Sequence, residues 1–116
     1  MSNIIDLKDA MERVQDDKEL LLELFDIFQE DFPGKRNTIN KAFEKGDLVS
    51  FQQIAHGMKG ATGNISAKDM HQTCVALDAL GKDGTLNGAD VPLALLDKQY
   101  AEFQAEAARL KKEFGK

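Results

Sequence analysis

The sequence predicts an all-α fold, an antiparallel up-down four-helix bundle with a short additional N-terminal helix. Three observations carry that prediction. Strand signals are nearly missing: β-branched residues are sparse, no hairpin dipeptide joins alternating apolar runs, and Ala, Leu, Glu, Lys and Gln dominate. Apolar residues recur every three to four positions through long stretches, the period of one helix face. The breaks between stretches are short and carry Asp, Gly or Asn. Long helices joined this way pack antiparallel, and the first short helix lies across one end.

The first helix is predicted over Asp6 to Val14, with Asp6 as N-cap and Leu7, Ala10, Met11 and Val14 on one face. Asp17 caps a second helix whose apolar residues are Leu21, Phe25, Phe28, Phe32, Ile39 and Phe43. Their phase runs unbroken across Pro33-Gly34. Pro33 removes a backbone bond, yet the helix is expected to continue to Lys45, where Gly46 terminates it. Asp47 caps the third helix. Its seam of Leu48, Phe51, Ala55, Met58 and Thr62 has the narrow spacing of a packed bundle. Gly63-Asn64 ends it. Ser66, with Asp69 three residues on, reads as a capping-box start for the fourth helix, which buries Ala67, Met70, Cys74, Leu77 and Leu80. Residues 81–90 read as a loop. The last helix runs from Val91 to Phe114, with Leu93, Leu96, Tyr100, Phe103, Ala107, Leu110 and Phe114 inward.

Composition sets limits on function. A chain of 116 residues, 42% apolar and 30% charged, is one domain, predicted over 1–116, with enough apolar surface for a core. No apolar run approaches the roughly 20 residues that span a bilayer, and no signal-peptide pattern opens the chain. The lone Cys74 excludes an internal disulfide and suits a reducing compartment, so a cytoplasmic location is expected. A net charge of −5 argues against nucleic acid, whose phosphates need a basic face. The charge is uneven. Residues 1–32 hold ten acids against Lys8, Arg13 and Lys18, a net of −7.

His56 is the most informative residue. It follows the seam position Ala55, so it sits at the edge of the buried stripe. On its own stripe lie Gln52, Gln53, Lys59, Gly60 and Gly63. A glycine within a helix costs about 1 kcal/mol relative to Ala, so two of them beside one imidazole need a reason. They clear space for another surface, while Lys59 stands within reach of any anion on the ring. The combination describes an exposed nucleophilic imidazole with a cationic neighbour and steric clearance. Gln52 or Gln53 is placed to fix the ring tautomer.

The run from His56 through Lys59-Gly60 and Gly63-Asn64 to Ala67 resembles the His-x-x-Lys-Gly signature of histidine-containing phosphotransfer (HPt) domains. Ala55 before the His, Gly46-Asp47 ahead of the helix and Leu77-Asp78 after it match as well, the last where that family often has Leu-Glu. Ser66 departs from the family, which commonly has Gly there. The resemblance implies a phosphocarrier in a multistep phosphorelay rather than a self-sufficient enzyme. His56 would be the phosphoacceptor, Lys59 would neutralise the phosphoryl group and Gly60 would admit the partner. Implied partners are response-regulator receiver domains and a (hybrid) sensor histidine kinase, with a monomeric carrier. No cofactor of its own and no metal is expected; Mg²⁺ is expected on the receiver.

Other constellations are weaker. His71-x-x-Cys74 has a helical spacing that could serve Zn²⁺, but Cys74 lies on the apolar stripe and His71 reads as a surface residue. The loop Asp83 to Asp90 lacks the ligand rhythm of an EF-hand. Leu20, Leu21 and Leu22 cannot all face one stripe, which leaves Leu22, Met11 and Val14 as a candidate docking patch for a receiver. The alternative function is a helical adaptor bundle that binds a partner without phosphate chemistry.

Overall fold

The computed structural model describes residues 4–115, so the predicted domain limits at 1 and 116 lie outside the described residues. Its helices are α1 (Leu7–Arg13), α2 (Lys18–Lys45), α3 (Leu48–Asn64), α4 (Lys68–Lys82) and α5 (Asp90–Phe114). Each of the first three is capped by the predicted aspartate. Asp6 accepts from the Asp9 N–H at 3.1 Å, Asp17 from Leu20 at 3.0 Å and Asp47 from Ser50 at 3.1 Å. Gly46 closes α2 at φ 69°, the left-handed turn that a side chain would strain.

α2 runs through Pro33 without a break. Proline has no N–H to give to the Gln29 carbonyl four residues back. The Tyr100 hydroxyl of α5 donates to that carbonyl instead, at 3.1 Å. Tyr100 also stacks on Phe32, with ring centroids 4.2 Å apart, and Phe103 meets Phe25 and Phe28 edge-on. This aromatic cluster locks α5 to α2 and spans the proline. The rest of the core is mostly aliphatic, with Leu21, Ile39, Met58, Met70, Leu77, Leu96 and Leu110 closed to solvent together with Phe51.

Two boundaries differ from expectation. α4 starts at Lys68 behind Ala67, which makes no side-chain cap, so the capping box at Ser66 and Asp69 does not form. Ser66 sits at φ 58°, and its hydroxyl donates to Asp9 at 2.6 Å, while its carbonyl accepts from the Asp6 N–H. The serine therefore ties α1 to the α3–α4 turn. The second difference is that α4 continues through Gly81 and Lys82, so the loop is shorter than predicted. Gly81 lets α4 lie close on α3: a Cβ there would stand 2.6 Å from that of Gln52. That close approach sets α4 against the helix bearing His56.

Candidate functional site

α3 places Phe51, Ala55, Met58 and Thr62 inward, so His56 falls on the solvent side with 63% of its side chain exposed. Its Nδ1 faces α4, 3.9 Å from an oxygen of Asp78, which leaves Nε2 on the far side of the ring. Lys59, one turn along, is half-buried and gives its ammonium to the same Asp78 oxygen at 3.0 Å. Lys82 reaches that oxygen too, at 3.1 Å. Gln52 donates to the other carboxylate oxygen at 2.9 Å, so it orients Asp78 rather than the imidazole as predicted. Gln53 is exposed.

Asp78 is buried, and burial alone would push its carboxyl upward. The hydrogen bonds from Lys59, Gln52 and Lys82 outweigh burial and hold it well below the usual carboxylate range. The carboxylate is thus a fixed negative charge beneath the ring of His56, shared between two ammonium groups.

The glycines divide by what surrounds them. Space around Gly60 is open, with nothing within 4 Å of a Cβ placed there. Gly63 is different. The His71 ring lies over it, 3.3 Å from where its Cβ would be, and His71 Nδ1 bonds the Lys59 carbonyl at 2.8 Å. A carbonyl only accepts, so that nitrogen carries the ring proton. His71 is therefore a clip between α4 and α3 rather than a surface bystander, and Gly63 makes room for the clip. Cys74 is closed to solvent, and burial pushes its thiol up to about 12.

No group of three His, Cys, Asp or Glu side chains stands ready to hold a metal among the described residues, nor is any described helix long and apolar enough to cross a membrane. A groove of about 450 Å³, lined by Phe32, Pro33, Arg36, Asp97 and Tyr100, opens between α2 and α5, on helices that do not carry His56.

A scan against protein families matches residues 23–110 to the Hpt domain. The chain belongs to the Hpt family. Its fold is similar to that of the histidine-containing phosphotransfer protein B (HptB) from Pseudomonas aeruginosa PAO1, at 20% sequence identity and a TM-score of 0.82. The match covers 94% of this chain and 98% of that one. A search of curated proteins finds no match.

Within this Hpt domain the predicted site residues do not all come together. His56, Lys59 and Gly60 share one face of α3, whereas the Met11, Val14 and Leu22 patch is not presented as such. Val14 is buried, and Met11 and Leu22 are half-buried against the core. Gly63 serves the His71 clip. Conversely, Asp78 and Lys82 had no assigned role. Asp78 lies four residues after Cys74 on the buried stripe of α4, and a carboxylate there requires partners. Lys82, one turn further on, is the first candidate.

Proposed function

We propose that His56 of this Hpt domain accepts a phosphoryl group from the phospho-aspartate of a receiver domain and hands it to another. Nε2 attacks phosphorus, the bond to the aspartyl oxygen breaks, and the aspartate leaves as a carboxylate. The Nδ1 proton stays on the ring, on the side that faces Asp78. A neutral imidazole is a competent nucleophile near pH 7, and phosphoryl transfer requires chiefly in-line positioning and charge neutralisation. Lys59 supplies one positive charge beside the ring. The receiver supplies Mg²⁺ and its own carboxylates.

The observation that supports this reading best is the exposed imidazole with its Nδ1 toward a buried carboxylate and a lysine one turn away. The surface around it suits a protein partner. Lys59 is the lone charged residue of α3, in a chain that is 30% charged. Such a sparsely charged face with open Gly60 can meet another helix closely. A cytoplasmic, monomeric carrier fits the reading, fed by a sensor kinase and unable to complete a reaction alone.

The test is incubation with a phosphorylated receiver. Label should appear on His56, labile to acid and stable to alkali. His56→Gln should abolish it while leaving helical circular dichroism and melting nearly unchanged, since exposed substitutions usually stay within about 0.5 kcal/mol. Label lost in His71→Gln but kept in His56→Gln would overturn the assignment. A folded parent that takes no label at all would favour an adaptor bundle.

A further inference from the structure

We propose that Asp78 is a positioning residue that competes with the phosphoryl group for Lys59 and Lys82, and so sets how readily the domain gives its phosphate away. The inference rests on the phosphocarrier reading and concerns a buried carboxylate that accepts no phosphate itself.

The geometry is specific. One oxygen of Asp78 takes both ammonium groups, at 3.0 and 3.1 Å, and lies 3.9 Å from His56 Nδ1. The other oxygen is held by Gln52 across the close α3–α4 contact at Gly81. Asp78 is thereby fixed from two sides, whereas the lysines reach it from the solvent side, with Lys59 27% and Lys82 58% exposed at the side chain. In the unphosphorylated domain the two cations and the carboxylate sum to one positive charge. A phosphoryl group on Nε2 brings about two negative charges within reach of the same lysines. The lysines then divide between a buried carboxylate and an exposed phosphoryl group.

Because Asp78 never lets go fully, the phosphohistidine is stabilised less than two unengaged lysines would stabilise it. That is the useful condition for a carrier. A group held too firmly would not move on to the next receiver, and one not held at all would not be accepted. Asp78 thus acts through the lysines, with no contact to the reacting atoms.

Removing the charge while keeping the shape separates this from a structural role. In Asp78→Asn the amide oxygen can still accept from Gln52, but its nitrogen faces the ammonium groups as a donor and releases them. The experiment measures the equilibrium constant for phosphoryl exchange between the domain and one receiver at fixed Mg²⁺. Asp78→Asn is expected to move it toward phosphohistidine about tenfold, the equivalent of about 1.4 kcal/mol. Lys82→Gln should move it toward the receiver about threefold, an effect of the size surface charges exert. In parallel, the Lys59 and Lys82 Cε resonances should both shift when His56 is phosphorylated.

A carboxylate that merely props up Lys59 predicts the opposite sign, with Asp78→Asn weakening phosphohistidine. That result, or a constant within twofold of the parent, overturns the proposal. Should Asp78→Asn not fold, Lys82→Gln decides: an unmoved constant together with unmoved lysine resonances overturns it. Absence of label on the parent would instead remove the carrier reading beneath it.

Discussion

Glycines on or against α3 give opposite signs when replaced by alanine, and the signs follow from the space each one faces. At Gly60 nothing lies within 4 Å of an added Cβ. Alanine there contacts nothing new, improves helix propensity and restricts the unfolded chain, for a gain of about 0.5–1 kcal/mol. At Gly81 the added carbon would stand 2.6 Å from Gln52 Cβ and 2.9 Å from its Cα. The second atom is backbone, so α3 and α4 must part. Overpacking of this kind costs about 1–3 kcal/mol, and a residue so near the helix end recovers little from propensity. Gly63 lies between. Its new carbon would press the His71 ring at 3.3 Å and push Nδ1 from the Lys59 carbonyl, cancelling the propensity gain.

For 116 residues each kcal/mol moves the melting midpoint by about 4 °C. Gly60→Ala should therefore melt about 2–4 °C above the parent, Gly63→Ala close to it, and Gly81→Ala about 4–12 °C below. Transfer should not follow stability. Gly60→Ala should keep much of the rate, because a methyl group is small beside an imidazole. Gly60→Glu should stay folded but lose most of the rate, since a long anionic side chain would project over the ring and meet incoming phosphoryl oxygens. Calorimetry with receiver-dependent labelling checks all of this. A destabilised Gly60→Ala, or Gly60→Glu transferring at the parental rate, would refute the clearance argument.

Tyr100→Phe removes the donor that satisfies the Gln29 carbonyl left open by Pro33, and should cost about 1 kcal/mol in urea unfolding. Adding Pro33→Ala, which restores a backbone donor, should recover most of that loss; no recovery would mean the hydroxyl acts elsewhere. Phe103→Ala empties the centre of the aromatic cluster and should cost about 3–5 kcal/mol, with the variant melting well below the parent. Asp9 gives a pH dependence. The Ser66 hydroxyl first, then Arg13, lowers its carboxyl from 3.8 to about 2, so folding binds fewer protons there than unfolding. Its contribution is therefore present above pH 3.8 and lost as pH falls from there toward 2. The stability difference between the parent and Asp9→Asn should narrow over that interval; a difference that widens on acidification would contradict the assignment.

What could be read from the sequence divides by range along the chain. Asp6, Asp17 and Asp47 cap their helices through N–H groups three residues on, so their roles were legible locally. The phase of Phe25, Phe28, Phe32 and Ile39 likewise carried α2 through its proline before any partner was known. His56, Lys59 and Gly60 form a face of one helix, and that face was visible as spacing. Ser66 misled because its hydroxyl had two outlets. Local geometry offered a cap, and a partner 57 residues away took it instead. Val14 misled for the same reason, since the helix face that looked unpartnered meets the core from another direction.

Asp78 marks the boundary between these cases. Its bond to Gln52 crosses 26 residues and its bond to Lys59 crosses 19, so no window of sequence displays them together. Yet the stripe through Cys74 and Leu77 already placed a carboxylate on a buried surface, where an unpaired charge is costly enough to demand a cation. Lys59, on the neighbouring helix, was available to answer. Pairing them from sequence needed one further step: to ask of each charge on an apolar stripe which cation the adjacent helix could bring. On that view Lys59 had two candidate anions from the start, a phosphoryl group on one side and Asp78 on the other. The chemistry of the site is the competition between them.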